Sequence, residues 1–314
     1  MHTKHLQIGE NKINFESDGV NLSGLLYIPD THKEGEKLPA MVITRPASGV
    51  KEQTAGLYAK KFAEKGYITL AFDPKGFGDS EGIPQMEDPF SVISDNTNAY
   101  TFLASLPQVD TARLIGAGVC MGAGHAVASS SNDPRIRATV AISPYLTSHI
   151  DYPKAFGGKV IAKVMMGISN PLINLCKMLG IYFYIPIVPF KKWMALIPAT
   201  ETQVGMKQYY GGEGKPGFVP NWRNKGNFYR ASYIMTGKYN PFDFISQFTN
   251  KPFFMAYAEG GYSTDKLQEF YDSIPADKKS LMVCKDSNHF DLYYKPEFVD
   301  SIVEGADTFL KETL

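Results

Sequence analysis

The sequence predicts an α/β protein with a mostly parallel central sheet, helices on both faces of that sheet and a helical lid inserted near its middle. Short apolar runs typical of buried strands alternate with amphipathic helical patterns along most of the chain. Two alternating segments, residues 12–17 and 20–28, flank the dipeptide Asp18-Gly19 and predict an antiparallel hairpin at the start. Because strand–helix–strand units close as right-handed crossovers, the alternating part predicts one parallel sheet.

The elements after the hairpin follow from the hydrophobic period of each segment. Continuous or alternating apolar runs predict strands, and apolar positions three and four residues apart predict helices. The predicted strands are residues 40–44, 67–72, 113–118, 136–142, 252–257 and 280–284. The predicted helices are residues 54–65, 90–106, 121–131, 264–273 and 296–313.

The alternation stops between the sixth and seventh predicted strands. That segment is rich in Met and aromatic residues and is interrupted by Pro and Gly. We therefore expect an α/β core formed by residues 1–144 and 249–314, with residues 145–248 as a lid or cap. Its Met and aromatic side chains are expected to form the interior of the lid, and the alternative is that some of them line a pocket for an apolar ligand.

The composition narrows the class of protein. The 314 residues include 32 Lys and Arg against 32 Asp and Glu, so the formal net charge is zero. Nucleic acids and anionic membranes are bound by an excess of positive charge, which this chain lacks, so we expect neither as a partner. A hydrophobic fraction of 44% with 20% charged residues is typical of a folded globular chain and not of a disordered one.

The cysteines and the apolar stretches indicate the compartment. The three cysteines, Cys120, Cys176 and Cys284, are far apart and form no C-x-x-C spacing, so neither a disulfide scaffold nor a zinc or redox site is expected. The first residues lack the basic-then-apolar pattern of a signal peptide. The most apolar stretch, residues 160–190, is broken by Lys, Asn and Pro before it reaches the roughly 18 apolar residues that a spanning helix needs. We expect a cytoplasmic protein without a membrane span.

Cys120 has the strongest chemical signal. It is the centre of Gly118-Val-Cys120-Met-Gly122, between a predicted strand and a predicted helix, which is the context of a nucleophile elbow. Such a turn is tight, so glycines on both sides let the helix pack against the strand. The helix N-terminus behind the thiol favours a thiolate and, later, an oxyanion. The alternative is a buried cysteine between two packing glycines.

A cysteine nucleophile needs a base, and six histidines are available. His289 follows the last predicted strand and precedes the last helix, so it belongs to the same sheet edge as Cys120. His125 follows Cys120 on the same helix and is expected to point away from the turn as a packed core residue. His149 lies in or beside the lid and could contact a ligand. His289 is therefore the candidate base.

The remaining site residues are chosen by their place in the chain. Glu259 is the first carboxylate after the strand at residues 252–257 and is our candidate for the acid that orients His289, with Asp265 as the alternative. The N–H of Met121, directly after Cys120, is one expected oxyanion donor. The second is Ala47, because the neighbouring Pro46 has no N–H. The order nucleophile, acid, histidine is that of α/β-hydrolases.

Three motifs carry a resemblance to a known family: GVCMGAG at residues 118–124, DPKGFGDSEG at residues 73–82 and NHFDLY at residues 288–293. They resemble α/β-hydrolases of the dienelactone-hydrolase-like group, most closely the bacterial and fungal branch that includes the polyketide transferases. GVKEQ at residues 49–53 resembles the oxyanion loop of that branch. The resemblance covers roughly residues 1–145 and 250–314.

The resemblance implies an α/β-hydrolase fold and a triad of nucleophile, acid and histidine, which falls here on Cys120, Glu259 and His289. Arg45 and Ala47 replace the more usual His and Gly of the oxyanion loop, and the acid is not an obvious Asp. Family activities include hydrolysis and acyl transfer, so the resemblance leaves the reaction open.

Together these observations predict a hydrolase that acts on an ester, thioester or lactone of a small apolar acyl compound. An acyltransferase of the polyketide-transferase type and a catalytically silent protein that binds a small ligand are the alternatives. No Rossmann fingerprint, P-loop or metal-ligand cluster occurs, so neither cofactor nor metal is expected. The glycine-rich residues 73–82 are expected to support the loops at the sheet edge.

Overall fold

The computed structural model describes residues 6–146, 175, 178–181, 184–186, 200–219, 227–229, 238–261 and 264–314. The described strands are β1 (Gly9–Ser17), β2 (Val20–Ile28), β3 (Leu38–Thr44), β4 (Ile68–Phe72), β5 (Val109–Val119), β6 (Ile136–Ile142), β7 (Tyr184–Pro186), β8 (Asn227–Tyr229), β9 (Phe253–Gly260) and β10 (Lys279–Asn288). The described helices are α1 (Thr54–Ala63), α2 (Pro89–Ala104), α3 (Met121–Asn132), α4 (Thr200–Tyr210), α5 (Thr264–Ser273), α6 (Asp291–Tyr294) and α7 (Pro296–Thr313), with a 3₁₀ helix at Pro241–Gln247.

Eight strands form one sheet in the order β1-β2-β4-β3-β5-β6-β9-β10. β2 runs antiparallel to both of its neighbours, β1 and β4, and the other neighbouring strands are parallel. The hairpin turns at Asp18 and Gly19, whose φ angles of 47° and 83° suit the tight turn that this dipeptide predicts. The predicted α/β class with a mostly parallel sheet is confirmed, and the eight strands and five long helices of the core lie close to their predicted positions.

The start of β5 differs from the prediction. The strand begins at Val109 rather than at residue 113. Leu38 pairs with Val109 but Ala40 pairs with Leu114, so the ladder with β3 shifts register over the polar residues between them. Because that stretch is irregular and half-exposed, it lacks the apolar period that a sequence-based prediction detects.

The central strands are buried on both faces, as expected for a parallel sheet between helices. In β3, Met41 and Ile43 face the cluster that contains Tyr58 of α1 and Ile302 of α7. The alternate residues of the strand face the opposite cluster, which includes Tyr100 of α2. Each fully buried large apolar side chain contributes about 1.5–3 kcal/mol to folding, so the alternation within β3 stabilises both layers of helices.

The segment expected to form the lid lies mostly outside the described residues, including Cys176, His149 and both tryptophans. Its described part contains α4 and the antiparallel pair β7–β8. The α4 helix packs against the core, because the Tyr209 hydroxyl lies 2.6 Å from Thr54 Oγ1 of α1. Gly205 lies so close to Phe290 that a Cβ on this glycine would be 2.7 Å from the ring.

Within the described parts of the chain, no helix combines the length and apolarity required to cross a membrane. The same parts contain no group of three or more His, Cys, Asp and Glu side chains that could hold a metal ion.

Candidate active site

Cys120 occupies a tight turn between the end of β5 and the first residue of α3. Its φ and ψ are 59° and −124°, a conformation that residues with a side chain rarely adopt. A Cβ on Gly118 would lie 2.0 Å from the carbonyl oxygen of Gly122, and one on Gly122 would lie 2.4 Å from that of Thr44. Both positions therefore need glycine, because the helix could not otherwise approach the strands so closely.

Cys120 is buried, with 8% of the residue exposed, and three neighbouring groups act on the pKa of its thiol. They are the N–H groups of Met121 and Ala47 and the hydroxyl of Tyr293. Each of these contacts lowers the pKa of the thiol, but burial has the larger effect and raises it above its ordinary value. The helix N-terminus thus acts on the sulfur in the expected direction without making it a thiolate at neutral pH.

The imidazole of His289 is 4% exposed and lies between a serine and a tyrosine. Its Nδ1 is 2.9 Å from Ser143 Oγ, and its Nε2 is 3.1 Å from the Tyr293 hydroxyl. Ser143 Oγ also donates a hydrogen bond to the His289 carbonyl oxygen, at 3.0 Å. The single hydroxyl hydrogen of Ser143 is used in that bond, so Nδ1 must carry the ring hydrogen and donate it to Oγ. The lone pair of Nε2 then faces Tyr293.

Burial also determines the charge of His289. It lowers the pKa of the imidazole to about 3, so the ring is neutral at neutral pH. With the thiol of Cys120 protonated and the imidazole of His289 neutral, these two residues do not form an ion pair. A proton must therefore leave the thiol during the reaction if the sulfur is to attack a substrate.

Neither candidate acid contacts His289. Glu259, at the end of β9, is exposed, and its carboxylate accepts a hydrogen bond of 3.2 Å from the N–H of Asp286. Asp265 is exposed in the first turn of α5. Among the described residues, no hydrogen bond joins either carboxylate to the imidazole. Glu259 lies just beyond the last buried residue of its strand, Ala258, and so points away from the interior where His289 lies.

The Asp286 contact places Glu259 beside an irregular part of β10. The register of β10 against β9 shifts between Cys284 and Asn288, and Asp286 has a φ of 53°. The carboxylate of Glu259 thus binds the backbone three residues before His289. Glu259 supports the segment that carries the histidine, and Ser143 occupies the Nδ1 position at which the sequence predicts an acid.

Ser143 is itself held in a strained backbone. It follows β6 directly, has a φ of 43°, and its N–H donates a hydrogen bond of 2.7 Å to the Ala256 carbonyl oxygen. A non-glycine residue in this region is uncommon and persists only where the surrounding structure fixes it. The bond to Ala256 in β9 supplies part of that constraint and directs the hydroxyl towards His289.

A buried ion pair holds the loop that carries Ala47. Arg45 Nη1 lies 2.7 Å from Glu87 Oε2, with the two side chains 2% and 0% exposed. The guanidinium also stacks on Phe77, 4.1 Å from the ring centroid. Glu87 Oε2 accepts a second hydrogen bond, 3.1 Å long, from the N–H of Ser48. The Arg45–Glu87 ion pair therefore fixes the backbone on both sides of Ala47. The N–H of Ala47 is one of the groups that lower the pKa of the Cys120 thiol.

An aromatic layer from α4 covers Tyr293. The rings of Tyr209 and Tyr293 meet edge to face at 5.4 Å, and Tyr210 packs in the same manner against Tyr209 at 4.6 Å. Burial raises the pKa of Tyr210, and the neighbouring Cys120 contributes in the same direction. The described part of the expected lid thus forms one wall beside the thiol.

The sequence-based search did not select Ser143, Glu87 and Tyr293. Ser143 and Glu87 are 146 and 42 residues away from their partners, and only the folded chain brings them there. Tyr293 had a detectable signal, because it belongs to the motif NHFDLY at residues 288–293, which also contains His289. The structure brings Cys120, Met121 and Ala47 together, and it places the Tyr293 hydroxyl 3.1 Å from Nε2 of His289.

Known proteins with similar sequences match this chain over part or nearly all of its length. Residues 18–163 match the family model described as X-Pro dipeptidyl-peptidase (S15 family). The uncharacterized protein YcjY of Escherichia coli is 27% identical over 97% of this chain and 99% of its own length. The thiohydrolase aneE of Aspergillus aculeatus is 25% identical over 95% and 91% of the two chains. The polyketide transferase claH of Penicillium crustosum is 31% identical, but over 45% and 46%.

Solved structures are similar over nearly the whole chain as well. The hypothetical protein PA2218 of Pseudomonas aeruginosa has a TM-score of 0.84 at 25% identity and covers 98% of this chain and 94% of its own. The α/β hydrolase GrgF from Penicillium sp. sh18 has a TM-score of 0.79 at 20% identity, covering 98% and 99%. The strand order and these neighbours show that the chain has the α/β-hydrolase fold. Its sequence relatives include proteins named as a thiohydrolase and as a polyketide transferase.

Proposed function

We propose that the protein is a hydrolase that uses Cys120 as a nucleophile on an ester, thioester or lactone of a small apolar acyl compound. The observation that carries the proposal is the position of the Cys120 sulfur, in a strained strand-to-helix turn that faces the N–H groups of Met121 and Ala47. A sulfur in that position can attack a carbonyl carbon while the two N–H groups receive the developing oxyanion. The resemblance to the thiohydrolase aneE supports the same chemistry.

The first half of the reaction forms an acyl-cysteine. The thiol proton leaves towards Nε2 of His289, the sulfur bonds to the carbonyl carbon, and the carbonyl electron pair moves to oxygen. The N–H groups of Met121 and Ala47 then bind that oxygen instead of the sulfur. When the carbonyl re-forms, the bond to the leaving alcohol or thiol breaks, and the imidazolium returns the proton to it.

The second half releases the acyl group. A water molecule attacks the acyl-cysteine, His289 accepts a proton from this water, and the Cys120 sulfur leaves and is reprotonated. Ser143 holds the imidazole in the tautomer that leaves Nε2 available in both halves. Glu259 contributes through the backbone of Asp286 and not through the imidazole. Residues 145–248 would act as the lid that selects the acyl group.

Acyl transfer is the second candidate. It requires the same acyl-cysteine and differs only in the acceptor, which would be an alcohol or an amine instead of water. The resemblance of about half the chain to the polyketide transferase claH favours it. A binding protein without chemistry would form no acyl-cysteine at all.

The experiment is a screen of p-nitrophenyl esters and thioesters of increasing acyl length, with and without an added alcohol or amine. Wild-type protein is expected to give a burst of one equivalent and an acylated Cys120 by mass spectrometry. Cys120→Ala should lose both signals, and Cys284→Ala, which removes a buried thiol on β10, should keep them. Full turnover by Cys120→Ala would end the proposal. Products in which the added nucleophile replaces water would identify a transferase.

A further inference from the structure

The Tyr293 hydroxyl interacts with both groups that must exchange a proton in the proposed function. It is 3.1 Å from Nε2 of His289. It is also the side-chain neighbour that lowers the pKa of the Cys120 thiol. Its ring is buried, at 1% exposure. Nδ1 of the same imidazole is engaged by Ser143, so Nε2 is the nitrogen that can accept a proton.

We infer that Tyr293 is a further catalytic residue, whose hydroxyl relays the proton between the Cys120 sulfur and Nε2 of His289. The inference rests on the proposed function, because it describes how the same nucleophile loses its proton. In the acylation step the S–H bond breaks and its proton binds the phenol oxygen. At the same time the phenol O–H bond breaks and its hydrogen binds Nε2. The phenol is unchanged, the imidazole becomes imidazolium, and the electron pair on sulfur forms the bond to carbon.

The phenol passes the proton on and does not store a charge. Burial raises the pKa of Tyr293 well above its ordinary value, and the neighbouring Cys120 contributes in the same direction. A phenolate in this position is therefore more costly than one in water. The two transfers must consequently occur together, and the hydrogen-bonded chain from sulfur through the phenol to Nε2 is the arrangement that such a relay needs.

The surrounding structure fixes the position of the phenol. The Tyr293 ring packs against Phe290 with the ring centroids 5.0 Å apart, and against Tyr209 at 5.4 Å. The preceding residue is anchored as well, because the Tyr58 hydroxyl donates a hydrogen bond of 2.7 Å to the Leu292 carbonyl oxygen. A group held on three sides is suited to relay, since a transfer between hydrogen-bonded atoms depends on their distances.

The test compares Tyr293→Phe with Tyr294→Phe in the full-length protein. Tyr293→Phe keeps the ring and removes the hydroxyl that contacts the buried Nε2, so some stability should be lost, and the rates are compared at equal folded concentration. Tyr294 is the adjacent, half-buried tyrosine, and no described hydrogen bond joins its hydroxyl to Cys120 or His289. The acylation rate of Tyr293→Phe should fall by about 10² or more, the usual contribution of a positioned acid–base group. KM should change little, and Tyr294→Phe should acylate at the wild-type rate.

Two further readouts separate a relay from simple packing. Solvent-deuterium measurements on the acylation burst should show two exchanging protons in flight in the wild type and fewer in Tyr293→Phe. The double variant Tyr293→Phe/His289→Ala should acylate about as slowly as His289→Ala alone, because both residues act on one proton path.

The outcomes distinguish the relay from the proposed function. If Cys120→Ala acylates normally, Cys120 is not the nucleophile, and both the proposed function and the relay through Tyr293 are refuted. If Cys120→Ala is inactive while Tyr293→Phe equals the wild type in rate and in deuterium response, the nucleophile stands and the relay is refuted. The relay would also be refuted if the losses of acylation free energy from Tyr293→Phe and His289→Ala were additive in the double variant.

Discussion

Ser143 Oγ lies 2.9 Å from Nδ1 of His289 and 3.0 Å from the carbonyl oxygen of the same residue. One hydroxyl therefore binds both the ring and the backbone of the histidine. In the α/β-hydrolase pattern a carboxylate at Nδ1 stabilises the imidazolium that forms during the reaction. A neutral hydroxyl fixes the tautomer as well as a carboxylate does, but it supplies no opposite charge. This difference agrees with the low pKa of His289, for which burial is the cause.

Ser143→Ala is expected to lower kcat about 10- to 100-fold, in the range found for residues that orient another functional group. It leaves a buried Nδ1–H without its acceptor, which costs about 1–3 kcal/mol of stability. Steady-state kinetics and urea denaturation measure the two effects. Ser287→Ala is the matched control, because Ser287 is a buried serine near His289 that donates to the Cys284 carbonyl oxygen and not to the imidazole. A larger kinetic loss in Ser287→Ala than in Ser143→Ala would contradict the role of Ser143.

Glu259→Gln is expected to change kcat less than about 3-fold. The side chain is exposed, and an amide oxygen can still accept the Asp286 N–H that the carboxylate accepts now. Loss of a true triad acid costs about 10⁴ in rate, so the two roles are easily separated by steady-state kinetics. Asp265→Asn serves as the parallel variant at the alternative position. A loss above about 10³ in either one would identify that residue as the acid of the triad.

The sequence-based predictions succeeded where a feature depends on residues close together in the chain, and they missed features that depend on contacts between distant segments. The strands and helices of the core were predictable because each depends on a local hydrophobic period, and β5 deviates only where Val109 begins an irregular stretch. The neighbourhood of Cys120 was predictable for the same reason, since Met121 adjoins it and Pro46 singles out Ala47. Ser143 and Tyr293 depend on where distant segments meet at the sheet edge. No spacing rule within one segment carries that information.

Arg45→Met is expected to destabilise the protein by about 3–5 kcal/mol, because it leaves the buried carboxylate of Glu87 without its cation. It should also lower kcat, since the ion pair holds the backbone on both sides of Ala47. The double variant Arg45→Met/Glu87→Met removes both charges and should recover much of the stability. Chemical denaturation of the three proteins measures this. A double variant less stable than Arg45→Met would mean that the pair stabilises the loop beyond mutual neutralisation.

A further prediction concerns His125 and His289, which the sequence assigns to packing and to catalysis. His289→Ala is expected to lose roughly 10² to 10⁴ in rate. His125→Ala should lose stability while its folded fraction keeps its turnover, because His125 is buried on α3 and packs 5.3 Å from the Tyr239 ring. Both variants are compared at equal folded concentration. A collapse of activity in His125→Ala alone would refute the assignment of His289 as the base.

The pH dependence of stability gives an independent check on His125. Burial, with a smaller contribution from Arg45, lowers the pKa of His125 to about 3, whereas the unfolded chain has its ordinary value near 6.5. Between these two values the unfolded state binds the extra proton. The contribution of His125 to stability is therefore complete above the unfolded pKa and is lost as the pH falls towards 3.

The slope is about 1.4 kcal/mol per pH unit for one such group. His125→Gln, which does not titrate, should therefore be less stable than the wild type at pH 7, and the gap between the two should narrow by about that amount per unit between pH 6 and pH 5. Other titrating groups are shared by both proteins and cancel in the difference, so urea denaturation at three pH values isolates His125. A gap that stays constant over this range would show that His125 has the same pKa in the folded and unfolded states, and is therefore not held neutral by burial.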